Sequence, residues 1–205
     1  MIIDIFEQLG HTILGLIDDF REAGATTMGY QVIGKREDLP RLAGENPESK
    51  FFIAVGDNWI RQQIKNDLLQ RVPEAQFANA IHPTATLGRQ VRIGTGVAIM
   101  GGVVVNSNSA IEDFTIINTG ARVDHDTTLG KFSSIAPGAV MGGNVSLGNA
   151  SVVAIGAVVS NNVTIGEHTV IGAAALQLTN AGDRELWYGI PARKIRDRDI
   201  GERYL

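Results

Sequence analysis

One histidine in this chain stands between two carboxylates, in the order Asp124, His125, Asp126. A neutral imidazole can take a proton from a nucleophilic hydroxyl or amine near neutral pH, and a nearby carboxylate orients the ring and stabilises its charged form. Gly143 follows further along the chain. A glycine N–H can hold a carbonyl oxygen that becomes an oxyanion, because no side chain stands in the way. Acyl transfer needs this pair of groups. The alternative is that His125 is a solvated surface residue.

The separation of His125 and Gly143 matters because the surrounding sequence repeats every six residues. Sixteen uninterrupted hexads run from Ile81 to Leu176, and the fifth position is always small or β-branched. The large apolar residues at the first position are Ile81, Leu87, Ile93, Ile99, Val105, Ile111, Ile117, Val123, Leu129, Ile135, Met141, Leu147, Val153, Val159, Ile165 and Ile171. This period predicts a left-handed parallel β-helix. Three hexads make one coil and also separate the two residues, so Gly143 should stack on His125 at a strand spacing of about 4.8 Å.

The other histidines do not indicate a metal centre. His82, His125 and His168 are evenly spaced, but the interval is not a whole number of coils, so they fall on different columns of the β-helix. The chain has no cysteine, and we therefore expect no zinc site of the kind that a β-helix carbonic anhydrase builds from three histidines. His82 is interpreted as shaping the start of the first coil, His168 as a surface residue, and His11 as leading into a strand.

Composition favours a soluble, cytoplasmic protein. With 44% hydrophobic and 20% charged residues, a net charge of -4 and no cysteine, nothing suggests a nucleic-acid partner, a disulfide framework or thiol chemistry. The first ten residues include Asp4 and Glu7 and lack a basic region, so they do not predict a signal peptide. Apolar runs fall short of the roughly 20 residues of a membrane span, and we expect no membrane partner.

The residues before the hexads predict a small α/β, Rossmann-like domain. The expected elements are a helix from Ile2 to Leu9 that ends at Gly10, buried strands at Thr12 to Ile17 and Phe51 to Val55, a helix from Ile60 to Leu69, and a short strand from Gln76 to Ile81. Ligands of such parallel sheets bind beyond the carboxyl ends of the strands. Asp18, Asp19, Gly56 and Asn58 would lie there, although each is equally well explained as a turn residue.

This domain lacks the start of a nucleotide-binding unit. Such a unit opens with a strand and a glycine-rich loop that places a phosphate at a helix N-terminus, whereas this chain begins at the helix. We expect an unpaired apolar sheet edge where the first strand would lie, and either a gene product with a longer N-terminus or another segment over the gap. The predicted domains are 1–78, 79–178 and 179–205.

Four segments resemble one enzyme family over nearly the whole chain. Residues 117–148 (INTGARVDHDTTLGKFSSIAPGAVMGGNVSLG) are similar to the active-site region of the bacterial sugar O-acyltransferase family. This family includes sialic-acid O-acetyltransferases and N-acetyltransferases of nucleotide-linked 4-amino sugars. The resemblance extends to GLIDD at 15–19, FFIAVGDNWIRQQI at 51–64 and YGIPARKI at 188–195.

The resemblance implies a homotrimeric transferase that uses acetyl-CoA, with its active site between neighbouring β-helices. His125 would be the general base and Asp126 its orienting carboxylate, at a position where relatives often have Glu. Asn118, in the Asn-Thr motif, would position the substrate or the acetyl group. The N–H of Gly143 would hold the thioester carbonyl.

The same resemblance implies binding sites for both substrates. The coenzyme A channel would be lined by Ile155, Ala173, Gly189, Ile190, Pro191 and Ala192. Arg193 and Lys194 suit the phosphates of the coenzyme, or alternatively form a solvated basic tail. Asp18, Asp19, Gly56 and Asn58 would hold the nucleotide part of the sugar substrate.

Two departures from the family pattern stand out: the glycine-rich phosphate loop is absent, and Ser134 stands where close relatives can have a second active-site histidine. The favoured function is acetylation of the amine of a nucleotide-linked 4-amino-4,6-dideoxy sugar by direct transfer, without an acyl-enzyme. O-acetylation of a sugar hydroxyl, as on a sialic acid, is the alternative. A non-catalytic trimeric scaffold is the hypothesis from another class.

Overall fold

The N-terminal domain contains three helices and a three-stranded sheet. This computed structural model describes residues 1–203. Its first elements are α1 (Ile2–Gln8), β1 (Leu16–Ile17), β2 (Thr26–Thr27), β3 (Tyr30–Gly34), a 3-10 turn (Arg36–Asp38), α2 (Leu39–Glu45) and α3 (Asn58–Arg71). The helices predicted at residues 2–9 and 60–69 are therefore confirmed. The sheet is mixed, since β3 pairs in parallel with β1 and antiparallel with β2.

Two predicted strands are wrong in extent. Only the last two residues of Thr12 to Ile17 form a strand, and of Phe51 to Val55 only Phe51 makes a single bridge, to Phe77. An apolar run becomes a strand only when a neighbouring strand supplies its hydrogen-bond ladder, and within residues 1–203 the remaining positions of both runs lack one. Strands β1 and β2 lie at the two ends of this sheet, with β3 between them.

Helix α1 closes the lower end of the β-helix. Ile5 is buried in the same apolar cluster as Ala80, Val97 and Ile99 of the first coil. The spacing predicted the helix, but not that its apolar face packs on the coils. This contact joins the N-terminal domain to the β-helix.

The hexads fold into the predicted β-helix, in which each strand is two residues long. The first face has β4 (Ala80–Ile81), β7 (Ala98–Ile99), β10 (Ile116–Ile117), β13 (Ser134–Ile135), β16 (Val152–Val153) and β19 (Val170–Ile171). The second face has β5 (Thr86–Leu87), β8 (Val104–Val105), β11 (Arg122–Val123), β14 (Val140–Met141), β17 (Val158–Val159) and β20 (Leu176–Gln177). The third face has β6 (Arg92–Ile93), β9 (Ala110–Ile111), β12 (Thr128–Leu129), β15 (Ser146–Leu147) and β18 (Thr164–Ile165).

Strands on each face pair in parallel with a register of three hexads, for example Arg122 with Val140. The first hexad residues from Ile99 to Ile171 are buried in one continuous core, with Ile81 and Ile93 packed against it and Leu87 exposed, which confirms the predicted repeat. Turns at 118–121 and equivalent positions form the first–second corner of the prism. Turns at 124–127, 142–145 and 160–163 form the second–third corner, which carries His125.

A buried arginine connects α3 to the coils. Arg61 is 1% exposed, and its guanidinium donates hydrogen bonds to the carbonyl oxygens of Phe114 (2.9 Å), Phe132 (3.0 Å) and Gly56 (2.8 Å). The rings of Phe114 and Phe132 stack on each other, and Phe77 meets Phe114 edge-on. The sequence did not predict this contact between α3 and the coils, because the buried face of α3 includes a charged residue.

The C-terminal segment forms a hairpin on top of the first face. Strand β21 (Glu185–Gly189) pairs in parallel with β19 and antiparallel with β22 (Ala192–Asp197). Tyr204 and Leu205 of the predicted C-terminal segment lie outside the described residues. No helix within residues 1–203 is both long and apolar enough to cross a membrane.

Candidate active site

His125 and Asp126 form a hydrogen-bonded dyad at the second–third corner. The Nδ1 atom of His125 lies 2.7 Å from Oδ2 of Asp126. An ionised carboxylate only accepts hydrogen bonds, so Nδ1 carries the proton and Nε2 keeps its lone pair. Asp126 has φ 56, a left-handed conformation that recurs every six residues from Gln90 to Ala174 and that Asp tolerates. The turn thereby holds the carboxylate beside the ring.

Two asparagines in the coil below hold the carboxylates that flank His125. Asn106 Nδ2 donates to Asp124 Oδ1 (2.7 Å), and Asn108 Nδ2 donates to Asp126 Oδ1 (3.3 Å). Asp124 Oδ1 also accepts the backbone N–H of His125 at 2.8 Å. Sequence analysis missed these asparagines, although both lie one full coil before their partners and could have been found by following the columns.

The carboxylates favour the protonated form of the ring. The pKa of His125 is raised, first by the hydrogen bond to Asp126 and then by the charge of Asp124, while the His125 hydrogen bond lowers the pKa of Asp126. Both side chains are solvent-accessible, at 58% for His125 and 50% for Asp126. A substrate can therefore reach the free Nε2 atom, and a general base with a raised pKa binds a proton more strongly.

Gly143 lies against the imidazole, as the three-hexad spacing predicts. A Cβ atom on Gly143 would stand 2.7 Å from both Nε2 and Cε1 of His125. The predicted oxyanion role of its N–H stays a prediction. In the structure that N–H donates to Oδ1 of the exposed Asn161 side chain at 3.1 Å, a contact that a thioester carbonyl would have to replace. Backbone spacing predicted the stack, but the conformation of a side chain one coil above determines whether the N–H is available.

Three of the other predicted residues lie at a different corner from the dyad. Asn118, Ile155 and Ala173 lie at the first–second corner, on the other side of the second face from His125. Asn118 Oδ1 accepts the backbone N–H of Thr119 at 2.8 Å. A single chain therefore does not bring Asn118 to the dyad.

The predicted coenzyme A residues lie at the top of the first–second corner. Ile155 is 58% exposed, and Ile190 is 74% exposed at the tip of the β21–β22 hairpin. The ring of Tyr188 occupies the space where Gly172 would have a Cβ, so the hairpin packs directly beside Ala173. Gly189 and Pro191 form the turn with Ile190, whereas Ala192 is buried in the core.

The two cations of this hairpin differ. Lys194 Nζ is paired with Glu185 Oε1 (2.8 Å) and Asp197 Oδ1 (2.7 Å), which raise its pKa. Arg193 donates to the carbonyl oxygen of Ala192 at 2.8 Å. The charge of Lys194 is thus neutralised within the hairpin, so Arg193 is the stronger candidate for a phosphate contact.

At the carboxyl end of β1, Asp19 lines a cleft of about 340 Å³ with Lys35, Arg36, Glu37, Asp67 and Arg71. Its carboxylate is ion-paired to the Arg36 side chain and accepts the Arg36 backbone N–H at 2.9 Å. Asp18 Oδ1 accepts the N–H of Phe20 at 2.9 Å. The sequence analysis did not identify Lys35 and Arg36, which follow β3, because β3 itself was not predicted.

Asn58 is not available to a ligand, which corrects the role predicted for it. Its side chain is 2% exposed, donates from Nδ2 to the carbonyl oxygens of Ala150 (3.2 Å) and Ser151 (3.3 Å), and accepts at Oδ1 from Ser134 Oγ (2.6 Å). Ser134 is likewise buried, on the first face under α3. Gly56 remains exposed, and its carbonyl binds Arg61.

The other histidines lie apart from the dyad. His82 Nδ1 accepts the N–H of Thr84 at 3.1 Å, in keeping with a role at the first coil. His168 is not a solvated surface residue, because its ring packs edge-on against Trp59 and partial burial lowers its pKa. Within residues 1–203 no three His, Cys, Asp or Glu side chains are grouped to hold a metal ion.

Parts of the chain are similar to a known domain family and to a viral protein. The family described as the PglD N-terminal domain matches residues 1–68. An uncharacterized protein of Acanthamoeba polyphaga mimivirus is 33% identical over 116 residues, which are 57% of this chain and 22% of that protein. The chain therefore spans about a fifth of that relative's length.

Two solved structures are similar over almost the whole chain. A variant of perosamine N-acetyltransferase from Caulobacter crescentus, in complex with CoA and GDP-perosamine, is 35% identical with a TM-score of 0.90, covering 96% of this chain and 91% of that chain. The acetyltransferase domain of PglB from Neisseria gonorrhoeae FA1090, in complex with acetyl coenzyme A, is 32% identical with a TM-score of 0.87, covering 95% and 92%. The chain belongs to the hexapeptide-repeat family of nucleotide-amino-sugar acetyltransferases.

Proposed function

We propose that this protein transfers the acetyl group of acetyl-CoA to the amine of a nucleotide-linked 4-amino-4,6-dideoxy sugar. The observation that carries the proposal is the His125–Asp126 dyad, whose imidazole is 58% exposed and whose Nε2 lies beside Gly143, a residue with no side chain. The 35% identity to an enzyme that acetylates perosamine supports the same chemistry.

In the proposed reaction, the neutral sugar amine attacks the thioester carbonyl carbon. A C–N bond forms, the carbonyl π electrons move onto oxygen, and Nε2 of His125 takes a proton from the nitrogen. When the tetrahedral intermediate collapses, the C–S bond breaks and coenzyme A leaves as a thiolate that regains this proton. Asp126 accepts the Nδ1–H of His125 throughout and stabilises the imidazolium.

The functional unit is proposed to be a homotrimer. If the second face of each protomer turns toward a threefold axis, the first–second corner of one protomer meets the second–third corner of the next. Two features support this arrangement. The outward side chains of Val104, Val140, Val158 and Leu176 make most of the second face apolar, with Arg122 as its one outward charge, and Asn118 and His125 stand at its two ends.

Both substrates would reach this junction from opposite sides. We propose that the pantetheine arm of acetyl-CoA runs past the exposed Ile155, Ala173 and Ile190, with its phosphates near Arg193. The nucleotide would bind near Asp18, Asp19 and Gly56, beside the Asp19 cleft with its three cations. Nucleotide sugar and acetyl-CoA as substrates fit the cytoplasmic location predicted from composition.

A substrate panel tests the proposal. Release of CoA thiol from acetyl-CoA, detected with DTNB, is measured against GDP-, UDP- and dTDP-linked 4-amino-4,6-dideoxy sugars and against sialic acids. We expect turnover with an amino sugar only. Turnover only with sialic acids would replace the proposal with O-acetylation. Absence of both turnover and acetyl-CoA binding by calorimetry would favour the scaffold hypothesis.

A further inference from the structure

The second face of the β-helix has a single outward charge among mostly apolar side chains. Arg122 stands at the middle of this face, in β11, and pairs with Val104 of the coil below and Val140 of the coil above. Arg122 is exposed, whereas the two valines are partly buried. No strand of the second face has a carboxylate at its outward position. The charge of Arg122 therefore has no counter-charge on its own face.

The guanidinium also has no partner at the edges of the face. Within residues 1–203 the Arg122 side chain forms neither an ion pair nor a hydrogen bond. The nearest acidic residues along the chain, Asp124 and Asp126, lie in the corner turn after β11, where each carboxylate accepts a hydrogen bond from an asparagine of the coil below. The five N–H donors of a side chain that is always charged are consequently available to another group.

Threefold closure would bring three copies of this charge together. In the proposed homotrimer the second face of each protomer turns toward the axis, and symmetry places the three Arg122 side chains at one height around it. Val104 and Val140 of each protomer would form apolar layers directly below and above them. Like charges withdrawn from water repel one another far more strongly than solvated ones, and an unpaired buried charge is costly. The trimer therefore needs an anion at this level.

We propose that the three Arg122 guanidiniums of a trimer bind one inorganic oxyanion, phosphate or sulfate, on the threefold axis. The inference rests on the homotrimer of the proposed function. A tetrahedral oxyanion has a threefold axis of its own, so three of its oxygens can each accept hydrogen bonds from one planar guanidinium. Chloride has no such directional pattern of acceptors. Because the site forms only when three copies assemble, the anion should bind the trimer and stabilise it against dissociation and unfolding.

Anion binding is measured on the intact protein with inorganic phosphate and sulfate as probes, at an ionic strength kept constant with sodium chloride. Calorimetry and native mass spectrometry should find one anion for every three chains. The melting temperature should rise with the logarithm of the anion concentration. At a concentration about 100 times the Kd, the equilibrium between folded trimer and unfolded chains should shift about a hundredfold toward the trimer.

Three variants separate this site from general effects of salt. Arg122→Val continues the valines of the neighbouring coils and should abolish the binding of one anion per trimer, while Arg122→Lys keeps the charge without the planar fork and should bind more weakly. In chloride alone, the Arg122→Val trimer should melt above the wild type, because the repulsion is removed. Arg92→Val is the matched control, since Arg92 is exposed at the same hexad position on the third face, and it should bind the anion as the wild type does. Stabilisation by exclusion of these anions from the protein surface is common to all four proteins.

The inference is wrong if the wild-type trimer binds neither anion, if it binds one anion per chain, or if Arg122→Val binds as tightly as the wild type. A protein that sediments as a monomer with and without these anions would overturn the proposed homotrimer as well. A stable trimer that responds to neither anion would overturn the axial site alone.

Discussion

At the level of single residues, the charge state of His125 determines when the enzyme can work. Asp126 and Asp124 raise the pKa of His125, and a general base must be neutral to accept a proton. We expect kcat/KM to rise with pH through an acid limb that lies above 6.5, the value of an unperturbed histidine. A pH profile of kcat/KM measures it, and a limb at or below 6.5 would contradict this role.

Asp126→Asn should move the acid limb of the kcat/KM profile toward lower pH. The substitution removes the carboxylate that accepts the Nδ1–H, so the imidazolium loses stabilisation and the pKa of His125 falls. The plateau rate should also fall, by 10–10³-fold, because the ring loses its orienting partner. An unchanged limb would show that Asp126 does not act on the base. Asp113→Asn, at a carboxylate paired with Lys131 at another corner, serves as the control.

Gly143→Ala should displace the imidazole without unfolding the coil. The added methyl would stand 2.7 Å from Nε2 of His125, and a shift of about 1 Å in a catalytic group costs roughly 10²-fold in rate. At Gly101, by contrast, a Cβ meets its nearest neighbours at 3.4 to 3.5 Å, an ordinary contact. Gly101→Ala should therefore keep the wild-type kcat. Equal activity in the two variants would show that the close contact between Gly143 and the His125 ring is not needed for catalysis.

The position of these residues was predictable, but their hydrogen bonds were only partly so. A coil of three hexads stacks Gly143 on His125 in any β-helix of this register. That Asn161 uses the Gly143 N–H, and that Asn58 faces the coils, depends on side-chain conformations that backbone periodicity does not determine.

At the level of elements, α3 is attached to the coils by one buried guanidinium. Arg61→Ala would leave the buried carbonyl oxygens of Phe114 and Phe132 without these donors. We expect the free energy of unfolding to fall by about 2–6 kcal/mol, since each of these two unsatisfied buried groups costs about 1–3 kcal/mol. Chemical denaturation at one fixed protein concentration measures the loss.

Arg71→Ala is the matched control on the same helix. Arg71 pairs with Asp67 at 3.0 Å on the surface, where an ion pair contributes about 0–1 kcal/mol. A loss in Arg61→Ala no larger than in this control would show that the joint does not stabilise the protein.

The strands of the β-helix could be predicted from the sequence, whereas the strands of the N-terminal domain could not, for a physical reason. A hexad strand finds its partner one coil away in the same repeat, so Arg122 and Val140 pair as the period requires. The strand expected at Phe51 to Val55 needs a partner from elsewhere in the chain, and apolar composition does not supply one. Helix α1 was found from its spacing, whereas its packing on Ala80 depends on the assembled coils.

At the level of the whole molecule, the division of the site between two corners predicts complementation. Trimers that contain both His125→Ala and Asn118→Ala protomers should regain activity, because some junctions combine an intact His125 with an intact Asn118 of the next protomer. Every ring of three that contains both kinds of protomer has one such junction among its three, so the doubly purified trimers should regain about a third of the wild-type activity. Co-expression with two different tags and assay of the doubly purified species measures this, and no recovery would place the whole site within one protomer.

The most direct test of the central claim is the product formed from acetyl-CoA and a nucleotide-linked 4-amino sugar. Mass spectrometry and NMR should show one acetyl group on the sugar amine with the wild type, and His125→Ala should form it 10²–10⁴-fold more slowly. An acetylated hydroxyl, no acetylated product, or a His125→Ala rate within about tenfold of the wild type would contradict acetyl transfer to an amine with His125 as the general base.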